Sequence, residues 1–406
     1  MPAAASDKSV VKIPSAIWAL GFVSLLMDVS SELIHSLLPV FMVVSLGASV
    51  FAVGLIEGIA EATALIVKVF SGVISDWWGK RKPLAVLGYG LGALSKPLFA
   101  LSTGLGFVVT ARIIDRIGKG IRGAPRDALV ADIAPPEVRG AAFGLRQSLD
   151  TVGAFVGPLL AMGLMLVWAN DFRTVFWFAV IPAFLAVGLL VFGVQEPERK
   201  QRDGARTNPI RKENLRRLGN AYWWVVVIGA IFTLARFSEA FLVLRAAEGG
   251  LPLAYTPLVV IAMNLVYAVS AYPFGKLSDS TSHSRLLALG LVLLVGADAL
   301  LAVGNHWTWV WAGASLWGLH MGVTQGLLAA MVADAAPEDL RGTAYGFFNL
   351  LSGVAMLVAS GLAGLLWDGF GARYTFVAGA VFSALALLLL AWCARKRVFA
   401  GEAGRK

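Results

Sequence analysis

Cysteine is almost absent. Cys393 is the single one in 406 residues, so neither an intramolecular disulfide nor a multi-cysteine metal site can be built, and Cys393 reads as a small buried hydrophobe near the end of the last helix. Histidine is scarce, with four, and no HExxH-type pattern occurs, which argues against a metal centre. Charge is sparse as well: 15% of residues against 58% hydrophobic ones, where a soluble domain carries about a quarter charged. Such a chain cannot hide its apolar surface in one water-soluble core, and a large soluble α/β enzyme is a poor reading. The net charge of +9 sits in short segments between apolar runs, the pattern of loops on one side of a membrane and not of a nucleic-acid-binding face. No G-x-x-x-x-G-K-[ST] stretch is present, so ATP does not power it through a P-loop. No coherent nucleophile–base set marks an enzyme, and no cofactor is implied. The first apolar run, beginning near Pro14, is too long for a cleaved signal peptide.

What the chain does have is about twelve apolar runs, each near the roughly 20 residues that cross a bilayer. They cover 15–42, 50–70, 83–103, 106–126, 140–167, 173–194, 221–245, 254–275, 284–304, 307–331, 343–367 and 373–394. An all-α membrane protein follows, with twelve transmembrane helices in two six-helix bundles: 1–194, a polar, proline-containing linker at 195–220, and 221–406 with a short tail. Lys80, Arg81 and Lys82, Arg126 and Arg139, the eight bases from Arg199 to Arg217, and Arg395 to Arg397 lie on one side, whereas the opposite loops 43–49 and 102–106 carry none. The positive-inside rule then puts both termini and the linker in the cytoplasm. Trp307, Trp309 and Trp311 read as anchors at a membrane edge, and Arg245 as an outer-rim residue.

Two stretches repeat half a chain apart. Val130-Ala131-Asp132-Ile133-Ala134-Pro135 with Arg139-Gly140 returns as Val332-Ala333-Asp334-Ala335-Ala336-Pro337 with Arg341-Gly342, and Gly72-x-x-Ser75-Asp76 returns as Gly275-x-x-Ser278-Asp279, shifted by 202 or 203 positions. A duplicated unit in so apolar a chain is the mark of a transporter made of two related halves. The motif Gly72-x-x-x-Asp76-x-x-Gly79-Lys80-Arg81-Lys82 resembles the loop signature between spans two and three of the major facilitator superfamily. Arg112 and Gly118 in span four resemble that family's second signature. Gly153-x-x-x-Gly157-Pro158 in span five partly resembles the element the family associates with antiporters, although Ala161-Met162 replaces its last two glycines. The resemblance spans nearly the whole chain. It implies alternating access by two rocking bundles and gating by Gly72, Asp76, Gly79, Lys80, Arg81, Asp132, Arg139, Gly157, Pro158, Gly275, Asp279, Asp334 and Arg341. It also implies a monomer.

The charges inside the spans are costly in a bilayer unless they meet partners or a wet cavity. Asp28, Glu32 and His35 share one face of span one, Glu57 and Glu61 one face of span two, and Arg112, Asp115, Arg116, Lys119 and Arg122 a broad face of span four. Span five adds Arg146 and Asp150. Two readings stand for these groups. They form a salt-bridged scaffold, Asp115 pairing with Arg112, Arg116 or Lys119 at helical spacing, or they act directly. In the second reading Asp28, Glu32, Glu57 and Glu61 trade protons, because burial favours the neutral form of an acid, while Arg112, Arg116 and Arg146 hold an anion. His35, Asp115 and Asp150 complete the N-terminal set of substrate-binding candidates. Arg236 and Glu239, expected to pair, and Asn264, His320, Gln325 and Asn349 are the candidates of the second half. Isolated polar residues there, Tyr267 and Asp298 among them, also serve as helix glue.

The expected function is proton-coupled export of a small anionic or zwitterionic organic compound across a bacterial inner membrane, with protons and the lipid bilayer as the other partners. A symport-type importer of an organic or phosphorylated anion is the alternative, and a non-transporting membrane sensor a third reading.

Overall fold

A computed structural model of the chain describes residues 13–78, 80–135, 138–196, 217–278, 280–324, 326–337, 340–396 and 398. Every regular element among them is helical. Twelve spans follow in order: α1 (Ser15–His35, continued by Leu38–Val40 and a π-helical turn Phe41–Ser45), α2 (Val50–Trp78), α3 (Lys82–Ala100), α4 (Leu105–Ile133), α5 (Arg139–Val167), α6 (Phe172–Gly193), α7 (Asn220–Ala235, resumed at Ala240–Glu248), α8 (Pro257–Ser278), α9 (His283–Val303), α10 (Trp307–Thr324, resumed at Leu327–Ala335), α11 (Arg341–Phe370) and α12 (Ala372–Arg395). Ten of these stretches are long and apolar enough to cross a membrane. The other two, α3 and α4, fall short on composition. Lys82 and Lys96 lie in α3, and α4 carries eight charged residues from Arg112 to Asp132. With 29 residues, α4 is about 43 Å long, ample for a hydrocarbon core of about 30 Å. Helix α2, expected over 50–70, and α4, expected over 106–126, both run on by two turns beyond the apolar stretch, because the polar residues there continue the helix outside the bilayer.

Three helices are interrupted, each for a local reason. Pro39 cannot donate to the ladder and α1 breaks at Ser36–Leu37. The α7 backbone leaves helical geometry at Arg236 (φ −104°, ψ 65°). In α10 Gly326 takes φ +72°, a conformation other residues adopt at a cost. The first two breaks matter for function, since interrupted helices expose backbone and side chains at membrane depth.

The halves meet differently on the two faces. On the face away from the termini one apolar core includes Leu37, Phe41 and Met42 of the first half with Phe241, Val243, Ala359 and Ala363 of the second. On the terminal face each half keeps its own: Ile17, Met27, Leu129 and Leu190 in one, Tyr222, Leu291, Met331 and Leu390 in the other. The far face is therefore sealed by burial common to both bundles, and the terminal face is not. Lipid-facing positions stay apolar and exposed, among them Ile181, Leu185, Phe192 and Leu388. Trp309 also faces outward, whereas Trp307 and Trp311 meet edge to face with ring centroids 6.2 Å apart and pack on the shared core.

Helices α1 and α5 pack through Gly153 and Gly157. A Cβ on Gly157 would stand 2.8 Å from Glu32 Cβ, and one on Gly153 3.0 Å from Asp28 Cβ. The antiporter-like element thus presses on the very turns of α1 that bear the acids. Across the halves, Asp368 at the end of α11 caps α2, accepting from Val50 N (3.1 Å) and Phe51 N (2.8 Å). Asp368→Ala should cost about 1 kcal/mol, the usual loss of an N-cap, read as a lower unfolding midpoint with cargo binding retained.

Candidate functional site

A cavity of about 280 Å3 lies between the halves where α1 and α7 break. The first half supplies Glu32, His35, Ser36 and Pro39 from α1, Glu57 and Glu61 from α2, and Arg112, Arg116 and Lys119 from α4. From the second come Arg236 to Ala240 and Val243 at the α7 break, Val260 of α8 and Met356 of α11.

Most of its charges are already spent on one another. Arg112 donates to Glu57 and to His35 Nε2, and lies 4.0 Å from Glu61. Arg116 donates to Glu61 (3.0 Å), to Asp115 through Nε (3.1 Å) and to the His35 ring (3.1 Å). Behind them Lys96 of α3, fully buried, donates to Asp115 (2.8 Å) and to Ser31 Oγ (3.1 Å). Three bases therefore face three acids, and the α4 face is a neutral scaffold knitted across α1, α2, α3 and α4. The helical-spacing pairing expected for Asp115 survives only with Arg116. Arg112 and Arg116 find their other acids on α2, one helix away.

Four cavity groups are left over. Glu32 has His35 at 3.9 Å and no base. Lys119, Arg236 and Glu239 make no ion pair among the described residues, and the Arg236 guanidinium lies 5.6 Å over the Phe232 ring with a buried Nε that has no acceptor. Arg236 and Glu239 act on each other electrostatically without coming within 4.0 Å. Among the described residues, the cavity thus offers from each half one acid and one base that no Asp, Glu, Lys or Arg of opposite charge meets within 4.0 Å.

A second charged cluster runs toward the terminal face. Asp150 lies 3.7 Å from both Arg126 and Arg146, and Arg146 is 3.9 Å from Asp127. Asp28 sits beside Asp150, across the Gly153 contact. Asp28 and Glu32 do share the α1 face that packs on α5, but at different depths: Glu32 and His35 line the cavity, and Asp28 joins the lower cluster. On the other side of the cavity the wall is aromatic. Phe237 lies 5.3 to 5.6 Å from Phe241, Trp317 and Phe376.

The second-half candidates mostly lie elsewhere. His320 is buried between helices, its Nδ1 on the Gly290 carbonyl (2.9 Å). Asn264 and Asn349 are half-buried and do not line the cavity. Arg245 is at the far end of α7 but buried, donating to Leu301 O (3.0 Å) and Gly304 O. Gln325, Gly79 and Asp279 lie outside the described residues, as does the side chain of Asp76.

The described gating candidates lie toward the terminal face, except Gly157 and Pro158, which sit beside Glu32 at the level of the cavity. Arg81 Nε is 3.2 Å from Asp132, and Glu196, just past α6, accepts from the Arg81 and Lys82 amides. A Cβ on Gly72 would stand 3.5 Å from Ala124 Cβ of α4, Gly157 is buried against α1, and Pro158 is buried as well. In the second half His283 is 3.3 Å from Asp334, and Arg341 donates to the Ala333 carbonyl (3.3 Å). Lys80, Arg139 and Gly275 are exposed. A shift of 202 positions carries Arg81–Asp132 onto His283–Asp334, so the repeat preserves a contact as well as a motif. Sequence reasoning passed over Lys96, Asp127, Glu196 and Asp368. A lone lysine in the middle of an apolar run was the available signal for Lys96.

A family model described as Major Facilitator Superfamily matches residues 20–262 and 240–404. The chain is similar to an uncharacterised MFS-type transporter of Methanocaldococcus jannaschii, 32% identical with 92% of this chain and 94% of that protein covered. It is also similar to the inner membrane transport protein YajR of Escherichia coli, at 23% identity with 91% and 81% covered. Among solved structures, a POT family transporter in complex with 5-aminolevulinic acid matches with a TM-score of 0.79 at 13% identity, covering 96% of this chain and 98% of that one.

Proposed function

Because the chain belongs to the Major Facilitator Superfamily and is thus a multi-pass secondary transporter, we propose that its cargo is a small zwitterionic organic compound, carried by alternating access in exchange for protons. The observation that carries this reading is a set of cavity charges that no arginine, lysine or carboxylate meets within 4.0 Å among the described residues, Glu32 and Lys119 on one half and Arg236 and Glu239 on the other. A zwitterion satisfies acids and bases together. A simple anion would leave Glu32 and Glu239 desolvated and unpaired, which is costly. Guanidinium suits a carboxylate, so Arg236 takes the acid end and Glu32 the ammonium. Because the partners come from both halves, cargo neutralises charge across the seam and favours their approach. The related fold seen holding 5-aminolevulinic acid, itself an amino acid, supports the size and charge class.

Protons fit the acids that lack a base. Glu57 and Glu61 are held by arginines, which leaves Glu32 and Asp28 as the proton carriers, the latter next to Asp150, where two carboxylates crowd one site. The terminal face is read as cytoplasmic and the membrane as a bacterial inner one, with export as the direction on the strength of Gly157-Pro158. Deleting the gene should then sensitise cells to the cargo, whereas an importer's loss would abolish growth on it.

The test is a stability screen of purified protein against zwitterions, monoanions and cations, since a ligand at about 100 times its Kd adds about 2.7 kcal/mol. Zwitterions should raise the unfolding midpoint. Arg236→Ala and Lys119→Ala should weaken that binding roughly 10- to 100-fold, the size of a lost charged hydrogen bond of about 1.5–3 kcal/mol. Equal stabilisation by simple anions, untouched by either substitution, would refute the zwitterion assignment.

A further inference from the structure

One buried acid takes no part in the cavity. Asp298 of α9 is wholly inaccessible, and neither carboxylate oxygen has a hydrogen-bond partner. Its neighbours are close: a Cβ on Gly379 of α12 would stand 2.6 Å from its Oδ2 and 3.1 Å from the Phe237 ring. Asp298 therefore lies directly behind the α7 break that presents Arg236 and Glu239 to the cargo.

The repeat gives a comparison inside the same chain. A shift of 202 positions carries Lys96 onto Asp298. Both are fully buried, but Lys96 has Asp115 and Ser31, and Asp298 has nothing. Helix α9 packs on α10 and α12. The charged or titratable groups on the elements around it are Arg373 of α12 in the same groove, Arg245 of α7, which donates to Leu301 O one turn along α9, His320 of α10, bonded to the Gly290 carbonyl of α9, and Arg236 and Glu239 at the α7 break behind Phe237; among the described residues none forms an ion pair with Asp298. An ionised carboxylate without donors is the most costly group a membrane protein can bury. With a proton the acid is neutral and tolerable.

Asp298 also has an approach. An apolar groove of about 330 Å3 between α9 and α12, walled by Ala299, Val303, Arg373 and Val377, runs up to the buried carboxyl. Val303 and Arg373 also border a polar pocket holding Glu248 and Asn305 on the far face. We propose that Asp298 is a proton-binding site of the transport cycle, in the second half of the molecule, filled from the far face along the α9–α12 groove. Loss of its proton would demand a donor. Arg373 shares its groove and Phe237 of the α7 break lies across the Gly379 contact, so deprotonation would pull on the segments that flank it, the one holding Arg236 and Glu239 included. This rests on the proton-coupled reading above.

The test uses full-length protein in phospholipid vesicles. Infrared difference spectra between wild type and Asp298→Asn should show a protonated-carboxyl band belonging to Asp298 at neutral pH that disappears as pH rises. Dicyclohexylcarbodiimide, which adds to protonated carboxyls from the apolar phase, should label the peptide carrying Asp298, and a water-soluble carbodiimide should not. Asp298→Glu, keeping the band, covers the case in which Asp298→Asn does not fold, and the labelling needs no variant. A carboxylate signal for Asp298 throughout, or a protonated band that never titrates while the protein stays folded, overturns the assignment. If wild-type transport ignores an imposed pH gradient, coupling fails and any role for Asp298 in the cycle falls with it. An Asp298 that does not titrate in a gradient-driven wild type removes this site alone.

Discussion

Glu57→Gln should destabilise the protein and stop transport, and adding Arg112→Met should restore much of the stability without restoring transport. Arg112 and Glu57 are each about 95% buried. Taking one partner from such a pair leaves a desolvated charge, at about 3–5 kcal/mol, whereas replacing both with apolar or neutral groups of similar size is often close to neutral. Arg112 keeps His35 and a 4.0 Å contact with Glu61, so the single change belongs at the low end, about 3 kcal/mol. The double variant should cost about 1 kcal/mol, roughly 5 kcal/mol less than the sum of two single changes of about 3 kcal/mol each, within the about 1.5–7 kcal/mol found for close charge pairs. Unfolding midpoints of the four proteins measure this, and a strictly additive cycle would show that the pair is not coupled. Uptake should stay at least about 100-fold down in all variants, since 1.4 kcal/mol is tenfold and the pair fixes the α2–α4 wall beside Glu61.

The twelve helices and the duplication were readable because each rests on a one-dimensional signal: apolar run length and a motif recurring at a constant shift. The site was readable in composition and not in wiring. Periodicity shows which face of α4 bears Arg112, Asp115, Arg116 and Lys119 but is silent on the neighbouring helix, and so the acids proved to be Glu57 and Glu61. Asn264, Asn349 and His320 looked equivalent to the cavity residues because helix rotation about its axis is set by packing. His320 is turned by its bond to Gly290.

The repeat also shows how two copies of one bundle have diverged. The shift of 202 positions carries His35 onto Phe237 and Asp115 onto Trp317. In the first half the two meet as an imidazole and a carboxylate 3.5 Å apart. In the second they meet as rings 5.5 Å apart. The same pair of positions holds polar wiring in one bundle and an aromatic wall in the other, so cargo meets charge mainly from one side and apolar surface from the other, the usual make-up of a selective pocket. Charge on the aromatic side is confined to Arg236 and Glu239, placed there by the helix break.

Alternating access requires the far-face seal to open, and the α2–α11 contact is where it can be forced. Gly54→Ala puts a methyl group onto the Ser360 carbonyl and within 2.9 Å of the Phe241 ring, whereas a Cβ at Gly353, on the same interface nearer the terminal face, meets nothing closer than 3.5 Å. The same substitution should therefore have opposite outcomes. Gly353→Ala should leave transport within about twofold and add slightly to helix stability, as Gly costs about 1 kcal/mol in a helix interior. Gly54→Ala should part α2 from α11, because overpacking a close backbone contact costs about 1–3 kcal/mol. That cost falls on the far-closed state alone, so the equilibrium should move about 10- to 100-fold toward the far-open one. The chain suits the measurement, since its one cysteine, Cys393, is buried and replaceable by alanine. A cysteine at Ser238, in the cavity, should react with a membrane-impermeant maleimide from the terminal face in the parent protein and from the far face in Gly54→Ala. Equal labelling patterns in the two would mean that the seal lies elsewhere in the shared core around Phe41 and Phe241.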